Sequence, residues 1–254
     1  LMGMDKSYSA TVKFGVATDS LDSDGEVIET AEIPSNPDII IQQLPLFTGD
    51  ILQVPPMVSA LKYGGQPLYK LVRQGKPLPE LKARPVTVSR LEMTETRWSD
   101  SQMDFLVDCS TGTYIRSLAR DIAQAAGTEG HISALRRLNI GPFQLEDAFI
   151  GVMTASGQDL ARAMIPLSES LPHVPSLKVN NEEAAALRTG VQPQISWLDR
   201  LEDNSFISGK AGVIFRMVGM AGDLVAIGKL VLDTGRHLIA AVVPAETKES
   251  APCD

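Results

Sequence analysis

Histidine, cysteine and aromatic side chains are scarce in this sequence, and each shortage removes a class of function. Three histidines (His131, His173, His237) and two cysteines (Cys109, Cys253) lie scattered without ligand spacing, so neither a metal site nor a disulfide framework is expected. Cys109 sits in a predicted core strand and Cys253 in the tail, a usage that suits a reducing compartment, and a cytoplasmic protein is expected. No apolar run reaches the ~18 residues that a membrane helix needs, so no membrane association is expected. The opening LMGMDKSYSA has no apolar stretch of the kind a secretory signal carries. Aromatic residues make up only 5% of the chain, so each of its four tyrosines stands out.

What is present is globular composition: 254 residues, 44% hydrophobic and 21% charged, enough for one large domain or two smaller ones. The net charge of −8 argues against nucleic acid as a partner, but it is unevenly spread. Residues 1–59 carry 2 basic and 9 acidic side chains, residues 60–137 carry 12 and 8, and residues 138–254 carry 9 and 14. A basic middle in an acidic chain leaves room for a local phosphate-facing surface.

Along the chain, YSATVKFGV (8–16) alternates and predicts a strand. TDSLDSDGEV (18–27) is an acidic, turn-rich loop; it lacks the spacing and following helix of a calcium-binding EF-hand. NPDIIIQQL predicts a helix capped by Asn36 with Pro37 first inside it. QVPPMVSALKYGGQPLYKLVRQG (53–75) starts extended, turns at Gly64-Gly65 and becomes a short helix from Pro67 that stops at Gly75. RPVTVSRLEMTETRW and QMDFLVDCS read as paired strands, and HISALRRLNIGPF as a short helix ending in a strand. After Leu167 come a proline-bearing linker and a short helix at 180–190 with Asn180 and Glu183 as its capping box. Three short strands follow, a pattern that suggests a small β-barrel module.

The stretch CSTGTYIRSLARDI (109–122) poses an electrostatic question. Ile115, Leu118, Ala119, Ile122 and Ala126 recur at helical spacing, with Thr111 or Thr113 available as cap. Arg116 then falls in the first turn, where a cation opposes the helix dipole by roughly 0.3–1 kcal/mol. A carboxylate or phosphate opposite it would explain the choice; Asp108 or another structural acid is one candidate.

Three stretches in this order and spacing carry a family likeness: DKSYSATVKFGVATDSLDSDGEV, QVPPMVSALKYGGQPLYKLVRQG and CSTGTYIRSLARDIAQAAGTEGHISALRRLNIGPF. Over residues 5–150 the chain resembles the TruB family, the tRNA pseudouridine-55 synthases, and its end resembles the PUA-type RNA-binding module. The resemblance implies an α+β fold, with a pseudouridine-synthase-type mixed, largely antiparallel sheet, flanking helices and a PUA-like β-barrel. It implies a catalytic domain over 1–166 and an RNA-binding module over 167–246; the polar tail over 247–254 is expected on its composition to be disordered. It also implies isomerisation of a flipped-out uridine in the T-loop of tRNA, by a monomer without metal or organic cofactor.

The family's KxY tyrosine, which stacks on the flipped base, corresponds to Tyr8. Tyr114 and Arg116 of GTYIR would line the pocket, and the leucine of LRR, Leu135, would pack at its wall. Lys62, Arg73, Arg136 and Arg137 are candidates for phosphate contacts. In the family the arginine pairs with a catalytic aspartate in a GTLDP-like motif upstream of the KxY strand. These 254 residues contain no such motif, and Asp5 and Asp19 match other family positions. The expectation is thus a catalytic domain incomplete at its N-terminus, without the nucleophilic aspartate and inactive alone, with apolar sheet left uncovered beside Arg116. The rival expectation is an inactive tRNA-binding protein or RNA chaperone. A guide-dependent relative is the further alternative, against which the short acidic end region and the lack of basic tails favour the stand-alone bacterial type.

Overall fold

Strict alternation of apolar and polar residues builds the first half of the molecule. The computed structural model describes residues 3–77, 79–201, 213–231 and 237–242. The chain divides into two compact units, Leu1–Ala148 and Phe149–Asp254, a break that precedes the compositional change at Leu167.

In the first unit the elements run β1 (Lys6–Phe14), β2 (Val16–Thr18), β3 (Val27–Thr30), α1 (Asp38–Ile41), β4 (Gly49–Gln53), β5 (Lys62–Tyr63), β6 (Gln66–Pro67) and α2 (Leu68–Arg73). They continue with β7 (Arg84–Arg97), β8 (Gln102–Cys109), α3 (Ile115–Ala125), β9 (Gly130–Ile140) and β10 (Phe143–Gln144). Six strands form one sheet in the order β10-β9-β1-β8-β7-β4, every neighbouring pair antiparallel. Period-two alternation turns Ala10, Val12 and Phe14 of β1 and Met103, Phe105, Val107 and Cys109 of β8 to one face, all buried. Helix α3 lies on that face through Ile115, Leu118, Ala119, Ile122 and Ala123. Burying Leu118 and Ile122 contributes roughly 1.5–3 kcal/mol each. Gly130 permits the close approach at the helix's far end: a Cβ there would meet the Ala123 Cβ at 2.8 Å and the Lys13 carbonyl at 3.3 Å.

The helix expected from Asn36 is shorter than its pattern: α1 covers only Asp38–Ile41, with Pro37 at the N-cap position and no side-chain cap there. Asn36 Oδ1 accepts from the Asp38 N–H at 2.9 Å, with Pro37 between them. Gly64 and Gly65, at φ +55° and +82°, turn the β5–β6 hairpin, and Gly75 at +61° ends α2's turn. Another expectation fails outright. Residues 131–143 contain no helix; β9 is a continuous strand paired with β1 from Phe14↔Gly130 to Lys6↔Ile140. The LRR periodicity is short, and the long unpaired flank of β1 supplies backbone partners that a short uncapped helix cannot match.

The second unit holds α4 (Gly157–Ala163), β11 (Ser176–Lys178), α5 (Asn181–Arg188), β12 (Ile214–Val218), β13 (Leu224–Val231) and β14 (His237–Val242). Its strands form one sheet in chain order, β11 parallel to β12 and the rest antiparallel. Leu177, Val179, Leu187, Phe215, Met217 and Val225 centre its core. Asn180 and Glu183 close the anticipated capping box on α5. Ser156 and Asp159 form a second one on α4 that sequence reading missed. The tail over 247–254, including Cys253, lies outside the described residues.

Candidate active site

Arg116 answers the electrostatic question from an unexpected direction. Its Nη1 donates to Asp22 Oδ2 at 2.9 Å and to the Ser20 carbonyl at 2.8 Å, and its Nη2 donates to the Val58 carbonyl at 2.9 Å. The partner acid is therefore Asp22, not Asp108, which belongs to β8 and lines a groove with Ser7, Arg90 and Asn139. The acidic loop is built to present Asp22. Asp22 Oδ1 accepts from the Ser20 hydroxyl at 2.5 Å and the Asp24 N–H at 3.2 Å, while Asp19 Oδ1 accepts from the Glu26 N–H at 3.0 Å. Gly25 is required there, since a Cβ would collide with the Asp19 and Ser20 side chains. The Asp19 and Asp22 carboxylates hold their own loop, and Asp22 also holds one guanidinium. The Arg116 and Asp22 side chains are 23% and 27% exposed, so the pair sits at the edge of solvent and is not sealed in the core.

Tyr114, not Thr111 or Thr113, occupies the N-cap position of α3, in an extended conformation and with no side-chain cap hydrogen bond. Gln53, at the end of β4, binds the backbone on both sides of Tyr114. Its Oε1 accepts from the Tyr114 N–H at 2.8 Å and its Nε2 donates to the Tyr114 carbonyl at 3.1 Å. Tyr114 is half-buried and borders a cleft of about 120 Å³ lined also by Pro55, Leu61, Arg84 and Gly112.

Tyr8 lies on β1 opposite Val107 on one side and Arg137 on the other. Its register puts it on the helix-bearing face, half-buried against the core that includes Ile115. Burial pushes its phenol above the ordinary value, the Cys109 thiol adds to this, and the facing Arg137 opposes it. Leu135 pairs with Ala10 and so shares the Tyr8 face, where it is 45% exposed. Arg136 is set apart. It pairs with Ser9, and strand alternation turns it to the opposite face of the sheet, away from Tyr8, Leu135 and Arg137. Lys62 and Arg73 are both exposed on the arm formed by the β5–β6 hairpin and α2, with the Arg73 guanidinium 5.8 Å from the Tyr69 ring centroid.

Sequence reading thus selected Tyr8, Tyr114, Leu135, Arg116 and Arg137, which one sheet face and the start of one helix accommodate, and missed Asp22 and Gln53. The density of acids and turn residues in DSLDSDG was the available signal for the first. Nothing local signalled the second, which acts across 61 residues of sequence.

An antiparallel six-stranded sheet bearing one long helix, with a tyrosine on the covered face and an arginine at the helix start, defines a class. The chain superposes on a chain of a Cbf5–Nop10–Gar1 complex with a TM-score of 0.66 and 22% identity, over 96% of this chain and 67% of that one. It matches an H/ACA RNP bound to a substrate RNA containing 2′-deoxyuridine with a TM-score of 0.60 and 21% identity, over 96% and 66%. The fold is that of the pseudouridine synthases. Sequence narrows this further. The model of the TruB family pseudouridylate synthase N-terminal domain matches residues 1–115, and that of the tRNA pseudouridylate synthase B C-terminal domain matches 116–172. The tRNA pseudouridine synthase B of Gluconacetobacter diazotrophicus is 40% identical over 194 residues, covering 75% of this chain and 63% of that protein. Its namesake from Francisella tularensis subsp. novicida is 46% identical over 153 residues, covering 59% and 49%. The chain belongs to the TruB family, and it spans between about half and two thirds of the length of these curated relatives.

Proposed function

We propose that this protein serves the isomerisation of uridine-55 to pseudouridine in the T-loop of tRNA. The observation that carries the reading is that Tyr8, Leu135 and Arg137 share the sheet face that α3 covers, and that Tyr114 and Arg116 stand at the start of that helix. A uridine flipped from the loop stacks on the Tyr8 ring, with Leu135 and Ile115 as apolar walls that exclude water from the detached base. The C1′–N1 bond breaks, the uracil turns, C1′ bonds to C5, the C5 proton leaves and N1 takes one up. Arg116 keeps the attacking carboxylate ionised and oriented. Asp22 holds that guanidinium in place, while its Nε–H and second Nη2 proton have no partner among the described residues. The attacking carboxylate itself is not assigned to any residue of this chain, since the 254 residues contain no GTLDP-like motif.

Lys62, Arg73 and Arg137 contact phosphates of the T-arm, and the PUA-like module over 167–246 grips RNA beyond it. Arg136 reaches RNA only if the strand wraps to the other face. The protein works as a cytoplasmic monomer.

The saturation of one Arg116 nitrogen by Asp22 and Ser20 also favours a second reading: an RNA-binding protein that grips tRNA without isomerising it. The deciding experiment uses the whole gene product and tRNA transcribed with [5-³H]uridine. Tritium release that vanishes with a U55→C transcript, and falls at least 100-fold in Arg116→Met with affinity within threefold, supports the enzyme. Tight binding without release supports the binder, and absence of both refutes each reading.

A further inference from the structure

The segment at and after the end of β4 is tied to α3 and its N-cap residue at three points. Gln53 holds both backbone groups of Tyr114, Arg120 Nη2 donates to the Val54 carbonyl at 3.1 Å, and Arg116 Nη2 donates to the Val58 carbonyl at 2.9 Å. Pro55 and Pro56 lie between these points; they lack N–H groups and fix φ, so the segment is a stiff strap. It leads directly into the arm bearing Lys62 and Arg73. Gln53 is 2% exposed, and both ends of its amide are engaged. The arrangement demands one donor and one acceptor on the same planar group, which an amide offers and a carboxylate or thioether does not.

The chemistry around α3 separates this role from general support. The helix body is held by the buried face from Ile115 to Ala123 and does not depend on Gln53. Its first turn does, because its N-cap residue is a tyrosine, a poor cap that makes no side-chain cap hydrogen bond. Tyr114 and Arg116 both leave the backbone within that turn. We propose that Gln53 is a positioning residue: its amide fixes the peptide planes flanking Tyr114, sets the directions of Tyr114 and Arg116, and couples them to the phosphate-contacting arm. The proposal rests on the reading of those two residues as parts of the uridine pocket.

The test compares wild type, Gln53→Met and Gln53→Glu in the whole gene product. It follows single-turnover tritium release, tRNA affinity by filter binding and folding by circular dichroism. Gln53→Met is expected to slow release 10- to 100-fold with affinity within threefold. Gln53→Glu is expected to be impaired at pH 8. Relative to wild type it regains at least tenfold at pH 5.5, where a protonated carboxyl again supplies one donor and one acceptor, with the circular dichroism spectrum the same at both pH values. A folded Gln53→Met with release within threefold of wild type overturns the proposal, and so does a parallel fall in rate and affinity. If Gln53→Met does not fold, a flat pH ratio in Gln53→Glu overturns it. Unfolding of both variants makes Gln53 a stability residue and overturns it too. If wild type itself releases no tritium, the functional reading has failed and amide hydrogen exchange decides the positioning claim. Faster exchange confined to residues 114–118 in Gln53→Met supports it; uniform or unchanged exchange overturns it.

Discussion

Removing Asp22 should loosen Arg116 by an amount that the geometry bounds. The pair meets at 2.9 Å with side chains 23% and 27% exposed, nearer to a buried pair than to a surface one. Exposed pairs contribute ~0.2–1 kcal/mol, and stripping one partner from a fully buried pair costs ~3–5 kcal/mol. A coupling energy of about 1–2 kcal/mol is expected between those limits. A double-mutant cycle of Asp22→Asn, Arg116→Met and the double variant isolates it. The Arg116 bonds to the Ser20 and Val58 carbonyls are lost in both backgrounds and cancel. The readout is urea unfolding followed by Trp98 fluorescence in a Trp197→Phe background. Trp98 packs in the first unit on Phe14, ring centroids 5.9 Å apart, and Trp197, the second of the chain's two tryptophans, lies in the other unit. A coupling below about 0.3 kcal/mol, within the scatter of additive sites, would refute the claim that Asp22 anchors the guanidinium.

Three further outcomes follow from the same geometry. Arg137→Gln should weaken tRNA binding and reduce the slope of log affinity against log salt by about 0.7–0.9, while Arg136→Gln, on the opposite sheet face, should leave the slope unchanged. Arg97, through contacts at 2.7 and 2.8 Å, and the Thr11 hydroxyl hold the Asp104 carboxyl below its ordinary value. That stabilisation is complete above the unfolded value of about 3.9 and is lost as pH falls through the folded one, so Asp104→Asn should flatten the acid limb of a stability profile. Asn180→Ala should destabilise the second unit by about 1 kcal/mol, read by Trp197 fluorescence, because Asn180 caps α5 through the Glu183 N–H at 2.9 Å.

Local chemistry was legible wherever neighbours in sequence decide it. Asn180 announces its helix because a cap acts within three residues, and the Gly64-Gly65 turn announces its hairpin for the same reason. The buried face of α3 follows from its 3.6-residue period. The misreading of 131–143 as partly helical has the opposite origin: Leu135 and Arg137 gain their place from β1, more than a hundred residues earlier, which local periodicity cannot report. Arg116 signalled by its mismatch with the helix dipole that a carboxylate was needed. It could not signal which one, because Asp22 reaches it through the folding of an acidic loop 94 residues away in sequence. Gln53 gave no signal at all, since a buried amide that caps another segment looks like any glutamine on a strand.

The claim on which the rest depends is that a T-loop uridine lies on Tyr8 against Tyr114 and Arg116. It is tested most directly by irradiating the 254-residue chain bound to a T-arm stem-loop with 4-thiouridine at the target position and sequencing the crosslinked peptide. A crosslink within residues 6–14 or 110–116 is the predicted result. A crosslink on the opposite sheet face, around Arg97 and Asp104, or in the second unit would contradict it.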